Sequence, residues 1–282
     1  QDFSRLREEG GLAGYPQRSE SEHDIVESSD ASSSLSWADG ISQAFTMTGQ
    51  DDRHVVAVVG DGALTGGMTW EALNNISDDN ERILVIIVND NGRSYAPTIG
   101  GMARYLNRAR TAPSYRAMYR TSGRAFGRFG AAGRAMYRGL RGGTHGFLSR
   151  LTNNVALYSN LDIKYLGPVD GHDLEAMIET LKLAKSYGAP VIVHAITEKG
   201  RGYQPALDDL EDQFHAVGKI NPDTGVAMSN STALSWTDIF ADELVRVGER
   251  RNDVIAITAA MLRPTGLARF AERFPDRVYD VG

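Results

Sequence analysis

The stretch that decides the fold reads Val-Val-Ala-Val-Val-Gly-Asp-Gly-Ala at residues 55–63 and Ile-Leu-Val-Ile-Ile-Val-Asn-Asp-Asn at residues 83–91. Both parts begin with an apolar, β-branched run, which is typical of a strand buried in a parallel sheet. The residues between them, up to Ile76, have the spacing of an amphipathic helix. The stretch therefore predicts a strand–helix–strand unit whose strands end in polar residues, at the edge where open α/β sheets bind ligands.

The polar residues at these two strand ends have the chemistry of a metal and phosphate site. Asp61 offers a carboxylate and Asn91 an amide oxygen, and Mg²⁺ prefers such hard ligands together with waters and phosphate oxygens. Gly60 and Gly62 permit a tight turn with close backbone approach, and the start of the next helix can face a phosphate. Each triplet alone is also an ordinary turn sequence. Their occurrence on consecutive strands is what indicates a site.

Gly-Asp-Gly followed thirty residues later by Asn-Asp-Asn resembles the thiamine diphosphate motif. The surrounding residues, Gly60–Met68 and Val88–Gly92, are similar to those of the 1-deoxy-D-xylulose-5-phosphate synthase family, a relative of transketolase, and the similarity extends over nearly the whole chain. The resemblance implies an α/β fold with a doubly wound, mostly parallel sheet that binds thiamine diphosphate. It also implies that the start of a second α/β domain follows.

The resemblance assigns roles to individual residues. Mg²⁺ would be held by Asp61, Asn91 and the main-chain carbonyl of Arg93. The residues expected to contact the cofactor are Ser29, Asp30, Ala31, Gly62, Ala63, Asn91 and Tyr203. His215, in the sequence Phe-His-Ala, would lie near the aminopyrimidine and the substrate, and it is the candidate catalytic residue.

Asp30 departs from the family pattern, in which this turn carries a histidine that meets the cofactor. A carboxylate close to a diphosphate is unfavourable, because two like charges about 4 Å apart cost on the order of 1–4 kcal/mol. We expect Asp30 to weaken cofactor binding, and to serve as the N-cap of a helix predicted over residues 35–48. A non-catalytic paralogue is therefore an alternative interpretation of this chain.

The composition is that of an ordinary globular protein. The chain has 282 residues, of which 41% are hydrophobic and 23% charged, and it can bury one or two cores. It has no cysteine, which excludes disulfides, thiolate metal sites and a cysteine nucleophile. No apolar run reaches the ~18 residues of a membrane span and no signal sequence opens the chain, so we expect a cytoplasmic protein without a membrane partner.

The charge is unevenly distributed. Residues 101–150 contain eleven arginines and no lysine or acidic residue, so this segment carries a charge of +11. Because the net charge of the chain is −6, the remaining residues together carry −17. Aromatic residues interleave with these arginines, and binding to single-stranded nucleic acid is one interpretation. Eight glycines between residues 123 and 146 oppose a regular helix. We favour a mobile basic insert over the active site, whose charge steers anionic substrates, and no nucleic-acid partner.

The remaining pattern divides the chain into two domains. Strands are predicted at residues 162–166 and 190–196, a turn at 167–173 and a helix at 174–187, which complete a diphosphate-binding domain over residues 1–217 that lacks its N-terminal part. Residues 218–232 are polar and form the predicted linker. A helix–strand–helix–strand pattern then begins, and we interpret residues 233–282 as the beginning of a pyrimidine-binding domain that lacks its C-terminal part.

The complete enzyme that the resemblance implies joins pyruvate to D-glyceraldehyde 3-phosphate with loss of CO₂. Its product, 1-deoxy-D-xylulose 5-phosphate, is a precursor of isoprenoids, thiamine and pyridoxal, and the family is usually homodimeric. In the family, the glutamate that protonates the aminopyrimidine ring and the arginines that hold the aldehyde's phosphate lie beyond the position of Gly282. We therefore expect the present fragment alone to be inactive. Another thiamine diphosphate-dependent, transketolase-like enzyme is an alternative, although it should differ from this chain over residues 92–101 and 167–173.

Overall fold

The computed structural model describes residues 5–79, 82–95, 97–99, 101, 104, 106, 161, 163–228 and 234–282. Its strands are β1 (Val55–Gly60), β2 (Leu84–Asp90), β3 (Lys164–Asp170), β4 (Val191–Ile196), β5 (Ala256–Thr258) and β6 (Val278–Asp280). Its α-helices are α1 (Ser34–Met47), α2 (Gly67–Ser77), α3 (Leu174–Ser186), α4 (Gln204–Asp208), α5 (Trp236–Arg250) and α6 (Ala268–Arg273). Among these helices, none has the length and apolar character needed to cross a membrane.

The first four strands form one parallel sheet in the order β1-β2-β4-β3. The strand–helix–strand unit predicted from the sequence is confirmed, since β1 pairs with β2 from Val55↔Leu84 to Gly60↔Asn89. Because all four strands run in the same direction, their carboxyl ends lie along one edge of the sheet. The polar residues that follow β1, β2 and β4 therefore meet at that edge.

Helices cover both faces of this sheet, which confirms a doubly wound α/β fold. On one face, Leu35 of α1 and Ile76 of α2 are fully buried against Val59 and Ile86. On the other face, α3 packs on β2 and β4 in a separate apolar cluster. Full burial of one such aliphatic side chain contributes about 1.5–3 kcal/mol. These two layers fix the strands, and so they fix the relative positions of the strand ends.

The turn predicted at residues 167–173 is wrong in its first half, because β3 continues to Asp170. Its pairing with β4 shifts between Leu166 and Val169 and then resumes, with Asp170 opposite Ile196. Pro168 has no N–H to donate to a neighbouring strand, so its presence in the sequence favours a turn. In the structure the strand continues through it with a local irregularity in the pairing. The helix that follows agrees with its prediction: it begins at Leu174, and its N-cap is Asp173, whose Oδ1 accepts a hydrogen bond from the N–H of Ala176.

The C-terminal residues form a second small α/β unit, as the restarting pattern indicates. Strands β5 and β6 pair in parallel, and the buried side chain of Phe270 packs with those of Ala256 and Leu267. Helix α5 begins with a capping box formed by Ser235 and Asp238.

The two domain boundaries stay predictions. The basic insert 101–150 lies outside the described residues except at 101, 104 and 106, so both interpretations of its charge also stay predictions.

Candidate cofactor site

Asp61 connects the ends of the two strands that carry the motif. It is the first residue after β1, and only 2% of it is exposed. Its Oδ1 accepts a hydrogen bond from the N–H of Asn91 over 3.3 Å, and its Oδ2 accepts one from Oγ1 of Thr98 over 2.7 Å. The Asp61 N–H donates to the carbonyl of Asn89. The two triplets thus lie together at one edge of the sheet.

The side chains of Asn89, Asp90 and Asn91 have different surroundings. Oδ1 of Asn89 accepts a hydrogen bond from Oγ1 of Thr197, which ties β2 to the turn after β4. Oδ2 of Asp90 lies 2.9 Å from Nε2 of His194 in the interior. The Asn91 side chain is only partly buried, and its Oδ1 accepts a hydrogen bond from the N–H of Arg93. Asp90 is thus directed into the interior, whereas Asn91 directly follows β2 at the open edge of the sheet.

A buried hydrogen-bond network lies directly beneath this edge. Asp90 and His194 are each 1% exposed, and the hydroxyl of Tyr165 lies 2.6 Å from Nδ1 of His194. A carboxylate can only accept, so Nε2 of His194 donates to Asp90, while Nδ1 lies within hydrogen-bond distance of the Tyr165 hydroxyl. The three side chains come from β2, β4 and β3. The network therefore joins three strands at the point where the candidate site begins.

Residues 92–95 and 97–98 belong to a connection that leaves Asn91 and returns to Asp61. The Thr98 N–H donates to the carbonyl of Gly92, and Arg93 pairs with Pro97 across the loop. The guanidinium of Arg93 donates to the carbonyl of Glu211 over 2.7 Å, whereas its Nε is buried without a partner among the described residues. Arg93 thus links the loop that follows β2 to the segment that carries His215.

His215 lies against the same loop, next to a lysine that the sequence did not single out. Nζ of Lys199 donates to the carbonyl of Ser94 over 2.7 Å and lies 2.8 Å from Nδ1 of His215. The His215 ring contacts that of Tyr95 in a tilted arrangement, with 4.0 Å between ring centroids. Burial lowers the pKa of Lys199, and the nearby Arg93 guanidinium lowers that pKa further. Burial also lowers the pKa of His215, and so does the adjacent Lys199 ammonium. Lys199 follows the carboxyl end of β4, and this position in the sequence could have indicated that it lies at the site.

Tyr203 presents a buried polar atom without a partner. Its Oη is inaccessible to solvent and has no hydrogen bond to any described residue. Its ring meets Phe214 edge-on with 6.0 Å between ring centroids, and Phe214 directly precedes His215. A buried hydroxyl without a hydrogen bond is costly, so this atom indicates a polar ligand group that is absent from the protein alone.

The turn Ser29-Asp30-Ala31 is exposed, and it docks next to Ala63 through its neighbour Ser32. Oγ of Ser32 donates to the carbonyl of Ala63 over 2.8 Å. A Cβ at Gly66 would overlap this serine side chain, so a glycine there permits the close approach. The prediction that Asp30 is the N-cap of α1 is wrong: Ser33 holds that position, and Asp30 offers its carbonyl to the Ser33 hydroxyl.

The residues at this edge fit a magnesium-bound diphosphate. Asp61 supplies a carboxylate, Asn91 an amide oxygen and Arg93 a main-chain carbonyl, which are the hard donors that Mg²⁺ takes. Gly62 keeps the turn free of a side chain, since a Cβ there would lie 3.2 Å from Cβ of Ser94. Within the described ranges no three His, Cys, Asp or Glu side chains converge on a common point, so the oxygen donors around Asp61 remain the candidate set.

Comparison with known proteins gives a consistent result over the whole chain. A family profile described as 1-deoxy-D-xylulose-5-phosphate synthase matches residues 1–197. Curated proteins of that name from Leifsonia xyli subsp. xyli and Clavibacter sepedonicus are each 73% identical to this chain over 282 residues, which is 100% of the chain and 43% of each relative. The protein of that name from Tropheryma whipplei strain Twist is 57% identical over 284 residues, which is 100% of this chain and 45% of that relative. The chain thus spans less than half the length of these relatives.

Proposed function

Because the chain belongs to the 1-deoxy-D-xylulose-5-phosphate synthase family, we propose that it forms the diphosphate-binding part of a thiamine diphosphate- and Mg²⁺-dependent transferase. The observation that carries this proposal is the bridge that Asp61 makes between the ends of β1 and β2, which presents one carboxylate beside the Asn91 amide. The proposed reaction of the whole protein joins pyruvate to D-glyceraldehyde 3-phosphate with loss of CO₂. The family resemblance also supports a homodimer in the cytoplasm.

The residues of this chain act in the proposal by binding and orienting. Asp61, Asn91 and the Arg93 carbonyl hold Mg²⁺, and the Gly62-Ala63 backbone admits the diphosphate. The hydroxyl of Tyr203, which has no hydrogen-bond partner among the described residues, gains one from the cofactor. When bound, thiamine diphosphate supplies the electron sink for decarboxylation of pyruvate.

His215 is proposed to hold or move a proton close to the substrate. Its lowered pKa favours the neutral imidazole, which is the form that accepts a proton. Nζ of Lys199 lies 2.8 Å from Nδ1 of His215, so the lysine is placed to influence proton transfer at this imidazole. This pair supports an enzyme more than a non-catalytic paralogue, for which Asp30 remains the one favouring observation.

The proposal predicts magnesium-dependent binding of thiamine diphosphate by this chain. Calorimetric titration of the cofactor in the presence of Mg²⁺ should give saturable binding, and chelation of the metal should abolish it, because the diphosphate contacts the protein mainly through the ion. Saturable binding that is unchanged by chelation would contradict the assignment of Asp61 and Asn91 as metal ligands. An absence of binding with Mg²⁺ present would contradict a cofactor site in this chain.

A second prediction concerns Asp30. Replacement of Asp30 by asparagine should tighten cofactor binding about fivefold, because removal of a like-charge contact worth about 1 kcal/mol favours the bound diphosphate by that factor. The matched control is Asp52→Asn, which removes the same charge at the exposed, opposite end of β1 and should leave affinity unchanged. Equal affinities of Asp30→Asn, Asp52→Asn and the natural chain would show that Asp30 does not face the diphosphate.

A further inference from the structure

Thr98 makes a contact that neither of the two motif triplets predicts. Its hydroxyl lies 2.7 Å from Oδ2 of Asp61, across 37 positions of the chain. Elsewhere in the described part of the fold, the hydroxyls of Thr65, Thr69 and Thr180 donate to main-chain carbonyls. Thr98 instead donates to a carboxylate, and hydrogen bonds with an ionised partner are shorter and about twice as strong as neutral ones.

The contact restrains the direction in which Asp61 can coordinate a cation. The N–H of Asn91 reaches Oδ1 and the hydroxyl of Thr98 reaches Oδ2, so the two donors fix the plane of the carboxylate from both of its oxygens. Thr98 is itself fixed, because its N–H donates to the carbonyl of Gly92 over 3.1 Å. The loop between Gly92 and Thr98 includes Arg93, whose carbonyl is the third candidate ligand. One residue thus anchors both the carboxylate and the loop.

Magnesium makes this restraint important. Mg²⁺ demands nearly ideal octahedral geometry, whereas Ca²⁺ accepts a larger and more flexible set of oxygen ligands. Groups that orient a metal ligand without touching the metal commonly change metal affinity about 10–100-fold when they are removed. We propose that Thr98 is a positioning residue for Mg²⁺, and that its hydroxyl holds Asp61 in the orientation that Mg²⁺ requires. This inference rests on the proposed function, because it needs the ion at Asp61.

The test compares Thr98→Val, which removes the hydroxyl at nearly constant shape, with Thr98→Ser, which retains it. The control is Thr180→Val, which removes a threonine hydroxyl from the interior of α3, away from the site. For each protein, the affinity for Mg²⁺ and for Ca²⁺ is measured by calorimetry in the presence of saturating thiamine diphosphate. Thermal unfolding without metal reports separately on the fold.

We expect Thr98→Val to bind Mg²⁺ about 10–100-fold more weakly, with a smaller loss for Ca²⁺, so that the preference for Mg²⁺ falls. Thr98→Ser should recover most of the affinity, and Thr180→Val should bind both ions as the natural chain does. A Thr98→Val protein with unchanged affinities, or one that loses both ions equally, overturns the positioning role while the proposed function stands. If the natural chain itself shows no metal-dependent binding, the proposed function and the role of Thr98 both fail.

Discussion

Replacement of Asp61 by asparagine is expected to weaken magnesium-dependent binding of thiamine diphosphate by about 100-fold or more, since even the loss of a group that only orients a metal ligand costs 10–100-fold. Asp61 is the carboxylate of the proposed donor set, and its two oxygens already accept hydrogen bonds from Asn91 and Thr98. An asparagine removes the negative charge. It also turns an amide N–H₂ toward either the cation or one of these two donors, and both arrangements are unfavourable.

The sharpest control is the same substitution at Asp30. Both variants remove one carboxylate at the same edge of the sheet, yet Asp61→Asn should weaken cofactor binding while Asp30→Asn should tighten it. A general effect of net charge would move both affinities in the same direction. Calorimetry measures the affinities, and circular dichroism without metal shows whether the variants are folded. Cofactor binding by a folded Asp61→Asn protein within about threefold of the natural chain would exclude Asp61 as a ligand, given the size expected for such a loss.

Replacement of His194 by alanine is expected to lower the free energy of unfolding by about 3–5 kcal/mol, the usual cost of removing one partner from a buried pair. The imidazole is 1% exposed and lies between the carboxylate of Asp90 and the hydroxyl of Tyr165. Its removal deprives the buried Asp90 carboxylate and the partly buried Tyr165 hydroxyl of a hydrogen bond, and it leaves a cavity beside β4. These costs add, because the surrounding sheet cannot move to fill the space.

Graded variants separate the network from the cavity. Tyr165→Phe removes only the hydroxyl and should cost about 1–3 kcal/mol, the penalty for leaving a buried polar group, here Nδ1 of His194, without its partner. The control His23→Ala removes an exposed imidazole and should change stability by less than about 0.5 kcal/mol. Urea unfolding measures all three differences. If His194→Ala and His23→Ala were equally stable, the interpretation of His194 as the centre of a buried network would be wrong.

The sequence was sufficient to predict the strand–helix–strand unit, because its apolar runs are long, β-branched and separated by a single helical pattern. It also predicted that Asp61 and Asn91 meet, since consecutive parallel strands end at the same edge. It named Asn91 rather than Asp90 as a candidate ligand, but it did not predict the interior partner of Asp90. That partner is His194, whose hydrogen bond to Asp90 spans 104 positions of the chain and leaves no local pattern.

The other contacts of the site escaped prediction for the same reason. The guanidinium of Arg93 reaches Glu211, 118 residues away, and Lys199 reaches Ser94 across 105 residues. The rule that places helix caps from local sequence also gave a wrong result at one position. Asp30 resembles a helix cap, but α1 begins four residues later, at Ser34. Helix propensity and turn composition describe single segments, whereas these contacts depend on how segments are packed together.

The strand order β1-β2-β4-β3 has a consequence for the kinetics of folding. Val55 pairs with Leu84, only 29 residues later, whereas Val85 pairs with Val191 at a separation of 106 residues. Loop-closure entropy makes the second pairing about 1 kcal/mol more costly to initiate. We therefore expect β1, α2 and β2 to act as the folding nucleus, with Asp61 and Asn91 already adjacent in the transition state. The side chains of Tyr203 and His215 would reach the same edge only after that barrier has been crossed.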